Sequence, residues 1–498
     1  MDTFDIVIIG SGPGGYSAAI RAAQHGAKTA IIEEKQIGGV CLNVGCIPTK
    51  AMLYSASLML AASHGKEYGL HYGEVQARLA DIVTRREQVV QRLTNGVATL
   101  LKANRLTVFN GRGRLLGNKQ IEIKSADGKL TTIAAKKIIL ATGSRPTVIP
   151  AFPPDGKNIL SSDHILNLTE PPAHLLILGG GYIGCEFACI FHALGSKVTI
   201  VEALDRLLPQ MDADLGNALG RQFKKAGMQI LLKTKVTDVR AEGGNLKPET
   251  QNSAPQVSGL SPHPSHGGIT ASLDNGSQIP ADKLLVSIGR VPNTENLGLE
   301  KERIALDGKF IRVNERMETS AQDIYAIGDV CGKYPLAHTA LAQARVAVSN
   351  AASGISSPQV SGLSTHPSEM HYEAVPAVVF TFPEIGSVGY SEEAARAAGF
   401  NVATGKFNFA ALGKSVAVGE TDGFVKWVAD ADTHEVLGCH IIGGHASELI
   451  AAPTMAIHLG AKVEDIAECI YTHPTFAEAL GEAAEDIFGS PVHAVKRK

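Results

Sequence analysis

Two cysteines, Cys41 and Cys46, stand in the run GGVCLNVGCIPTK with four residues between them, two glycines upstream and Pro48 just downstream. Such a pair suits thiol–disulfide exchange, in which a thiolate attacks a disulfide sulfur and electrons leave on the other sulfur. Two buried structural cysteines, or a metal site, are the other readings. Neither accounts for the glycines and the proline, and no second cysteine pair completes a zinc set. The spacing sets a condition. On a regular helix residues five apart are separated by about 7.5 Å of rise, whereas disulfide Cα atoms lie ~4.4–6.8 Å apart. A bond therefore requires a distorted turn, for which Gly45 provides room. Pro48 suits the first turn of a helix, which places Cys46 near a helix N-terminus where a thiolate is stabilised. The other five cysteines, Cys185, Cys189, Cys331, Cys439 and Cys469, read as small buried hydrophobes.

Exchange also needs a group that takes and returns thiol protons near neutral pH, which points to histidine. In YTHPTFAEAL, Pro474 holds His473 out of helical geometry, and Glu478, expected one turn into the following helix, could orient the imidazole. Taken alone, a His-Pro pair is more often a loop.

The elements that must position these groups are βαβ units. FDIVIIGSGPGGYSAAIRAAQHGAKTAIIEE at the start and HLLILGGGYIGCEFACIFHALGSKVTIVE from His174 each run strand, glycine turn, helix, strand. In the first, Gly10, Gly12 and Gly15, with Gly14 beside them, let a pyrophosphate approach the helix N-terminus, and Glu33 is placed for ribose hydroxyls. In the second, Gly179, Gly181 and Gly184 do the same, and Glu202 closes the next strand. A carboxylate there would repel a 2′-phosphate, so NAD is expected over NADP. Two dinucleotide sites suggest a resident FAD and an exchangeable nicotinamide. The cysteines follow the first site, which assigns FAD to it.

The expected fold class is α/β: two Rossmann-like dinucleotide-binding domains, for FAD and NAD, plus a C-terminal α+β domain. Boundaries are expected at 1–150 (FAD), 151–287 (NAD), 288–355 (a central segment returning to the FAD sheet through DIYAIGDV) and 371–498 (C-terminal). The 498 residues, with 44% hydrophobic and 19% charged residues and 52 glycines, suit a multi-domain globular enzyme. A net charge of -3 argues against nucleic-acid binding. The chain opens on a strand with no room for a leader, and no apolar stretch approaches the ~20 residues of a membrane span. A cytoplasmic protein without a membrane role is expected. One oddity is a near-repeat, PQVSGLSPHPS at 255–265 and PQVSGLSTHPS at 358–368, expected as surface loops. His263, His266 and His366 within or beside it lack regular ligand spacing, so no metal site is expected.

Together, GGVCLNVGCIPTK, YAIGDV, VEALDRLLPQMD, GETDGFVK and HPT-x-x-E, in this order of domains, resemble the class I pyridine nucleotide-disulfide oxidoreductases over nearly the whole chain. The resemblance implies that Cys41 exchanges with substrate while Cys46 faces the flavin and forms the charge-transfer thiolate. It implies Lys50 near the flavin with Glu186 as its partner, and FAD contacts from Thr142, Gly143 and Asp329, the last through the ribityl chain. It further implies a homodimer, joined through the C-terminal domain, in which His473 serves the other subunit's site. The implied substrate is a dihydrolipoyl group on the lipoyl domain of an acyltransferase or of a glycine cleavage H-type protein. Sister reductases of glutathione, trypanothione or mercuric ion are the alternative, along with a non-catalytic flavoprotein subunit. Glu202 disfavours the NADPH-dependent ones, and the ending VHAVKRK lacks the cysteine pair expected of a mercuric reductase. The PQVSGLS segments depart from the family pattern.

Overall fold

The computed structural model describes residues 1–73, 75–241, 268–353 and 368–494. The first PQVSGLS copy, and the second apart from Ser368, lie outside these residues, as does His266. The chain divides into two compact units: Met1–Ala51, Val83–Thr147 and Gly289–His371 in one, Met52–Ile82, Val148–Ile288 and Tyr372–Lys498 in the other.

The first unit is built on strand Asp2–Ile9, whose Ile6, Val7 and Ile8 are wholly buried, as a parallel strand covered on both faces requires. It pairs in parallel with Thr29–Glu33 on one side and Leu130–Leu140 on the other, and Thr107–Asn110 extends the sheet beyond Thr29–Glu33. The 11-residue strand Leu130–Leu140 has two roles. Its first half pairs antiparallel with Gln120–Lys124, while its second half pairs in parallel with Ile324–Ala326. That last strand comes from the run DIYAIGDV. Helix Pro13–Gln24 packs on helix Ala337–Ala351 so closely that a Cβ on Gly14 would lie 3.2 Å from Ala340.

The second unit repeats the pattern. Its parallel sheet runs Gln229–Leu231, Lys197–Val201, His174–Leu178, Lys283–Val286, Ile159–Leu160. The C-terminal part is a five-stranded antiparallel sheet in the order Ala377–Val379, Glu384–Gly389, Val436–Gly443, Phe424–Asp430, Val402–Asn408. Helix Glu478–Ile487 covers one face, accepting the indole N–H of buried Trp427 at Leu480 O (2.9 Å). Gly405 permits this approach, since a Cβ there would lie 2.1 Å from Ala483 O. The class is therefore α/β with two Rossmann-like sheets and an α+β C-terminal part.

One expectation is corrected. The helical stretch Gly39–Ser63 is long and apolar enough, by length and composition alone, to cross a membrane. Asn43, Pro48 and Lys50 punctuate it in the sequence. It is broken at Gly45, and Met52, Leu53 and Ala56 are buried, as in a helix that packs against protein on one side.

Candidate active site

The two glycine loops share one geometry. Gly10 and Gly179 adopt φ of +103° and +106°, and a Cβ on either would lie 2.3 Å from Ala141 O or 2.5 Å from Ser287 O. Only glycine turns there. Gly15 and Gly184 press their helices onto the preceding turn, with Cβ positions 1.9 and 2.1 Å from Gly10 O and Gly179 O. Gly12 and Gly181, the N-caps of helices Pro13–Gln24 and Tyr182–Ala193, have nothing within 4 Å of such a Cβ. Neither helix has a side-chain cap or an acid in its first turn. Open space in front of free N–H groups is the cradle that a dinucleotide pyrophosphate fits.

The strand-end carboxylates are oriented identically. Glu33 Oε2 accepts the Ser11 N–H (2.9 Å) and hydroxyl (2.6 Å), and its Oε1 accepts Lys35 N–H (2.8 Å). Glu202 Oε2 accepts Gly180 N–H (2.7 Å) and its Oε1 accepts Leu204 N–H (2.8 Å). Glu33 Oε1 and both Glu202 oxygens accept one bond each and so keep a lone pair for a ribose hydroxyl.

The cysteine segment lies over the first loop. Gly38 donates its N–H to Ser11 O (3.1 Å), and a Cβ on Gly39 would lie 2.6 Å from Gly12 Cα. Helix Gly39–Val44 carries Cys41, is tied by the Asn43 amide to Ile37 O and Gly39 O, and stops at Gly45, where φ is -136° and ψ -114°. Cys46 then opens helix Cys46–Ser63. The distorted turn that the spacing demanded is present. Both sulfurs are thiols, Cys41 half-buried and Cys46 exposed, and they are hydrogen-bonded to one another. That bond, burial and the neighbouring sulfur's charge push the Cys41 thiol far above its ordinary range, partly offset by the Lys50 ammonium. The two sulfurs are thus adjacent, and the arrangement disfavours a thiolate on Cys41. Tyr16 was not singled out in the sequence; burial, then the charge of Cys41, raise its phenol.

Thr142 and Gly143 sit where strand Leu130–Leu140 ends. Thr142 Oγ1 donates to Asn293 O (2.8 Å), Asn293 returns its amide to Thr142 O (2.9 Å), and Gly143, at φ +68°, faces open space. Asp329, in the turn Gly328–Cys331, accepts the Ser144 hydroxyl, which in turn accepts Arg290 Nε–H (2.7 Å). Ser144, Arg290 and Asn293 are positioning residues that no local motif announces.

In the second unit, His473 Nδ1 lies 2.8 Å from Glu478 Oε1, and Glu478 Oε2 accepts Thr475 N–H at 2.8 Å. Glu478 is the first residue of its helix, not one turn in, because the turn after Pro474 already closes on it. Burial alone would raise its carboxyl; the bonds from His473 and Thr475 outweigh that and hold it below the usual range. Glu186 is buried and accepts Phe380 N–H (3.1 Å), whereas Lys50 belongs to the first unit. Of the remaining cysteines, Cys185, Cys189, Cys331 and Cys439 are buried, with Cys189 raised to about 12 by burial. Cys469 departs from expectation: it is exposed on the segment after helix Val463–Ala467, its thiol directed to Asp465 O. Among the described residues no group of three or more His, Cys, Asp or Glu could hold a metal ion.

Comparison with known proteins agrees with this geometry. The family model described as pyridine nucleotide-disulphide oxidoreductase matches residues 4–344, and that of the same family's dimerisation domain matches residues 375–484. The dihydrolipoyl dehydrogenase of Chlamydia muridarum is 39% identical over 495 residues, covering 99% of this chain and 98% of the relative. That of Bacillus subtilis is 38% identical over 498 residues, covering 98% and 99%. Among solved structures, LpdA from Mycobacterium tuberculosis is similar with a TM-score of 0.84 at 28% identity, covering 97% of this chain and 99% of the other. The HOCl-induced flavoprotein disulfide reductase RclA from Escherichia coli gives 0.78 at 28% identity, with the same coverage.

Proposed function

The chain belongs to the pyridine nucleotide-disulphide oxidoreductase family, and on that premise we propose that it oxidises protein-bound dihydrolipoyl groups to lipoyl groups through a Cys41–Cys46 redox disulfide and FAD, with NAD as acceptor. The observation that carries this reading is the thiol pair: Cys41 and Cys46 in contact across the helix break at Gly45, laid over a glycine loop, with Lys50 beside them.

In this reading His473 Nε2 takes a proton from one thiol of the substrate, its Nδ1–H held by Glu478. The resulting thiolate attacks Cys41 Sγ; the S–S bond breaks and its electron pair leaves on Cys46. The second substrate thiol attacks the mixed disulfide, closing the lipoyl ring and expelling the Cys41 thiolate, which takes up a proton. Two electrons and two protons leave the substrate and two cysteines are reduced. Cys46 is the sulfur on which the electron pair is left, and the raised Cys41 thiol accords with this. Gly10, Gly12, Gly14, Gly15 and Glu33 would hold FAD, with Thr142, Gly143, Asp329 and Lys50 around it; when bound, the flavin would supply a two-electron relay to NAD. NAD would sit at Gly179, Gly181, Gly184 and Glu202, with Glu186 on the helix that follows the loop.

Two features of the second unit support a homodimer with shared sites. His473 is 78% exposed, and Met455, Leu459 and Ile470 are 65%, 73% and 101% exposed, in a segment matched by a dimerisation domain. We further propose lipoyl domains of acyltransferases or glycine cleavage H-type proteins as partners, residence in the cytoplasm, and domains 1–150, 151–287, 288–355 and 371–498. The test compares NADH and NADPH as donors to lipoamide and to glutathione disulfide. NADH with lipoamide should dominate; activity confined to NADPH and glutathione disulfide would overturn the assignment.

A further inference from the structure

A lysine lies on the buried face of the C-terminal sheet. Lys426 stands in strand Phe424–Asp430, in register with Lys406 on one neighbour and His440 on the other, and His440 is in register with Ser387. The Lys426 and His440 side chains are 6% and 1% exposed. A buried ammonium persists only where opposite charge and hydrogen bonds meet it. Here Nζ is 2.9 Å from Glu392 Oε2 and 3.2 Å from both Asp212 Oδ2 and Asp214 Oδ2. Lys406 reaches Asp214 (3.2 Å) and Arg396 reaches Glu392 (3.0 Å). His440 spends its nitrogens on Ser387 Oγ and Tyr390 O, and burial lowers its pKa against the pull of Asp212, whose Oδ2 is 3.9 Å from Nε2. The row of cations is thus matched to the acids opposite.

Asp212 is the far end of the loop that starts at Glu202. It caps helix Ala213–Lys225 by accepting Asp214 N–H (3.0 Å), and it also accepts Glu392 N–H (3.2 Å). Midway, Arg206 bonds Glu393 at 2.9 and 3.4 Å. Between these anchors the loop covers the second glycine turn. Leu208 donates its N–H to Gly180 O (2.9 Å), the Leu207 side chain occupies the space a Cβ on Gly180 would need, and Leu204 supplies one of the two N–H groups that orient Glu202. At the first glycine loop the Glu33 segment runs straight into Gly38, bonded to Ser11, with no such anchor among the described residues.

We infer that Lys426 is a positioning residue for nicotinamide-dinucleotide binding: from the C-terminal sheet it fixes Asp212, and through the 203–211 loop the ribose-facing carboxylate Glu202. This rests on the assignment of NAD to the second glycine loop.

The test is titration of the fully reduced holoenzyme with NADH, read by NADH fluorescence, for Lys426→Met, Lys426→Arg, Asp214→Asn and Glu393→Gln. Lys426→Met should bind NADH about tenfold more weakly, a loss of about 1.4 kcal/mol, with full flavin content. The loss should fall on KM for NAD and not on KM for dihydrolipoamide, and Lys426→Arg should recover most of it. A folded Lys426→Met enzyme with wild-type NADH affinity would overturn the inference. Should that variant not fold, Asp214 and Glu393, 42% and 61% exposed, carry the test: unchanged NADH affinity in both overturns it. Absence of NADH binding by the wild type would instead refute the assignment of the site.

Discussion

His473 Nδ1 stands 2.8 Å from Glu478 Oε1 on an imidazole that is otherwise 78% exposed, so one edge of the ring is fixed and the other is free to meet a thiol. Because the carboxylate accepts the hydrogen bond of Nδ1–H, Nε2 is left as the basic nitrogen. His473→Gln should lower dihydrolipoamide turnover by about 10²- to 10⁴-fold while shifting stability by no more than about 0.5 kcal/mol. Glu478→Gln should lose less, since the amide oxygen can still accept from Nδ1. Glu478 is held below its ordinary pKa, so its contribution to stability is present above about pH 4.3 and lost as pH falls through the lower folded value. Turnover and melting temperature of both variants check this; a large loss of stability with activity preserved would assign the pair a structural role.

The break between the two thiols makes a second prediction. A Cβ on Gly45 would lie 2.9 Å from Val40 O and 3.3 Å from Cys41 Cα, so Gly45→Ala must displace the first helix or straighten the turn. It should slow closure of the disulfide after reduction and cost about 1–3 kcal/mol of stability. Free-thiol titration during reoxidation measures the rate. Closure as fast as wild type would mean that the helix break is not needed.

Glu33 and Glu202 hold their loops in the same way, and this gives a crossed test of which dinucleotide binds where. Glu33→Ala strands the Ser11 and Lys35 N–H groups and should yield protein purified with less FAD but normal NADH binding. Glu202→Ala should retain FAD and weaken NADH by about tenfold or more. Flavin absorbance and NADH titration on each variant decide it, and the reverse pattern would exchange the two sites.

What the sequence disclosed was local. The glycine spacing, the cysteine run and His473 with Glu478 lie within a few residues of one another, so their chemistry and the backbone they need are written together. The need for a distorted turn at Gly45 could be read from helix rise alone. The supports could not. Asn293 bonds Thr142 across 151 residues of chain and Arg290 reaches Ser144 across 146, pairings that only the folded sheet creates. Lys426 sits in a strand whose burial runs unbroken from Phe424 to Ala429, and a single lysine there gives no sign in sequence that acids over 200 residues away will face it. Cys469 was misread because a small apolar residue is usually buried, and the surface it lies on is set by the fold.

Lys426 also makes a prediction about acid stability. Burial alone would lower its pKa, but Glu392, Asp212 and Asp214 outweigh burial and raise it. Conversely, burial would raise Asp212 and Asp214, and neighbouring charges and N–H groups bring both below the ordinary range; Glu392 is lowered first by its bond to Lys426. The acids thus stabilise the fold above their unfolded pKa, near 4, and that stability is lost as pH falls through their lower folded values. The lysine's share is lost only as pH rises through a value above about 10.4. At pH 7, Lys426→Met leaves buried carboxylates without their counter-charge and should destabilise by about 3–5 kcal/mol. As pH falls through those lowered values the acids become neutral, the wild type then buries an ammonium without partners, and methionine fits the same space. The melting-temperature gap between wild type and Lys426→Met should therefore narrow as pH falls below about 4. A gap independent of pH would show that Lys426 acts by packing and not by charge.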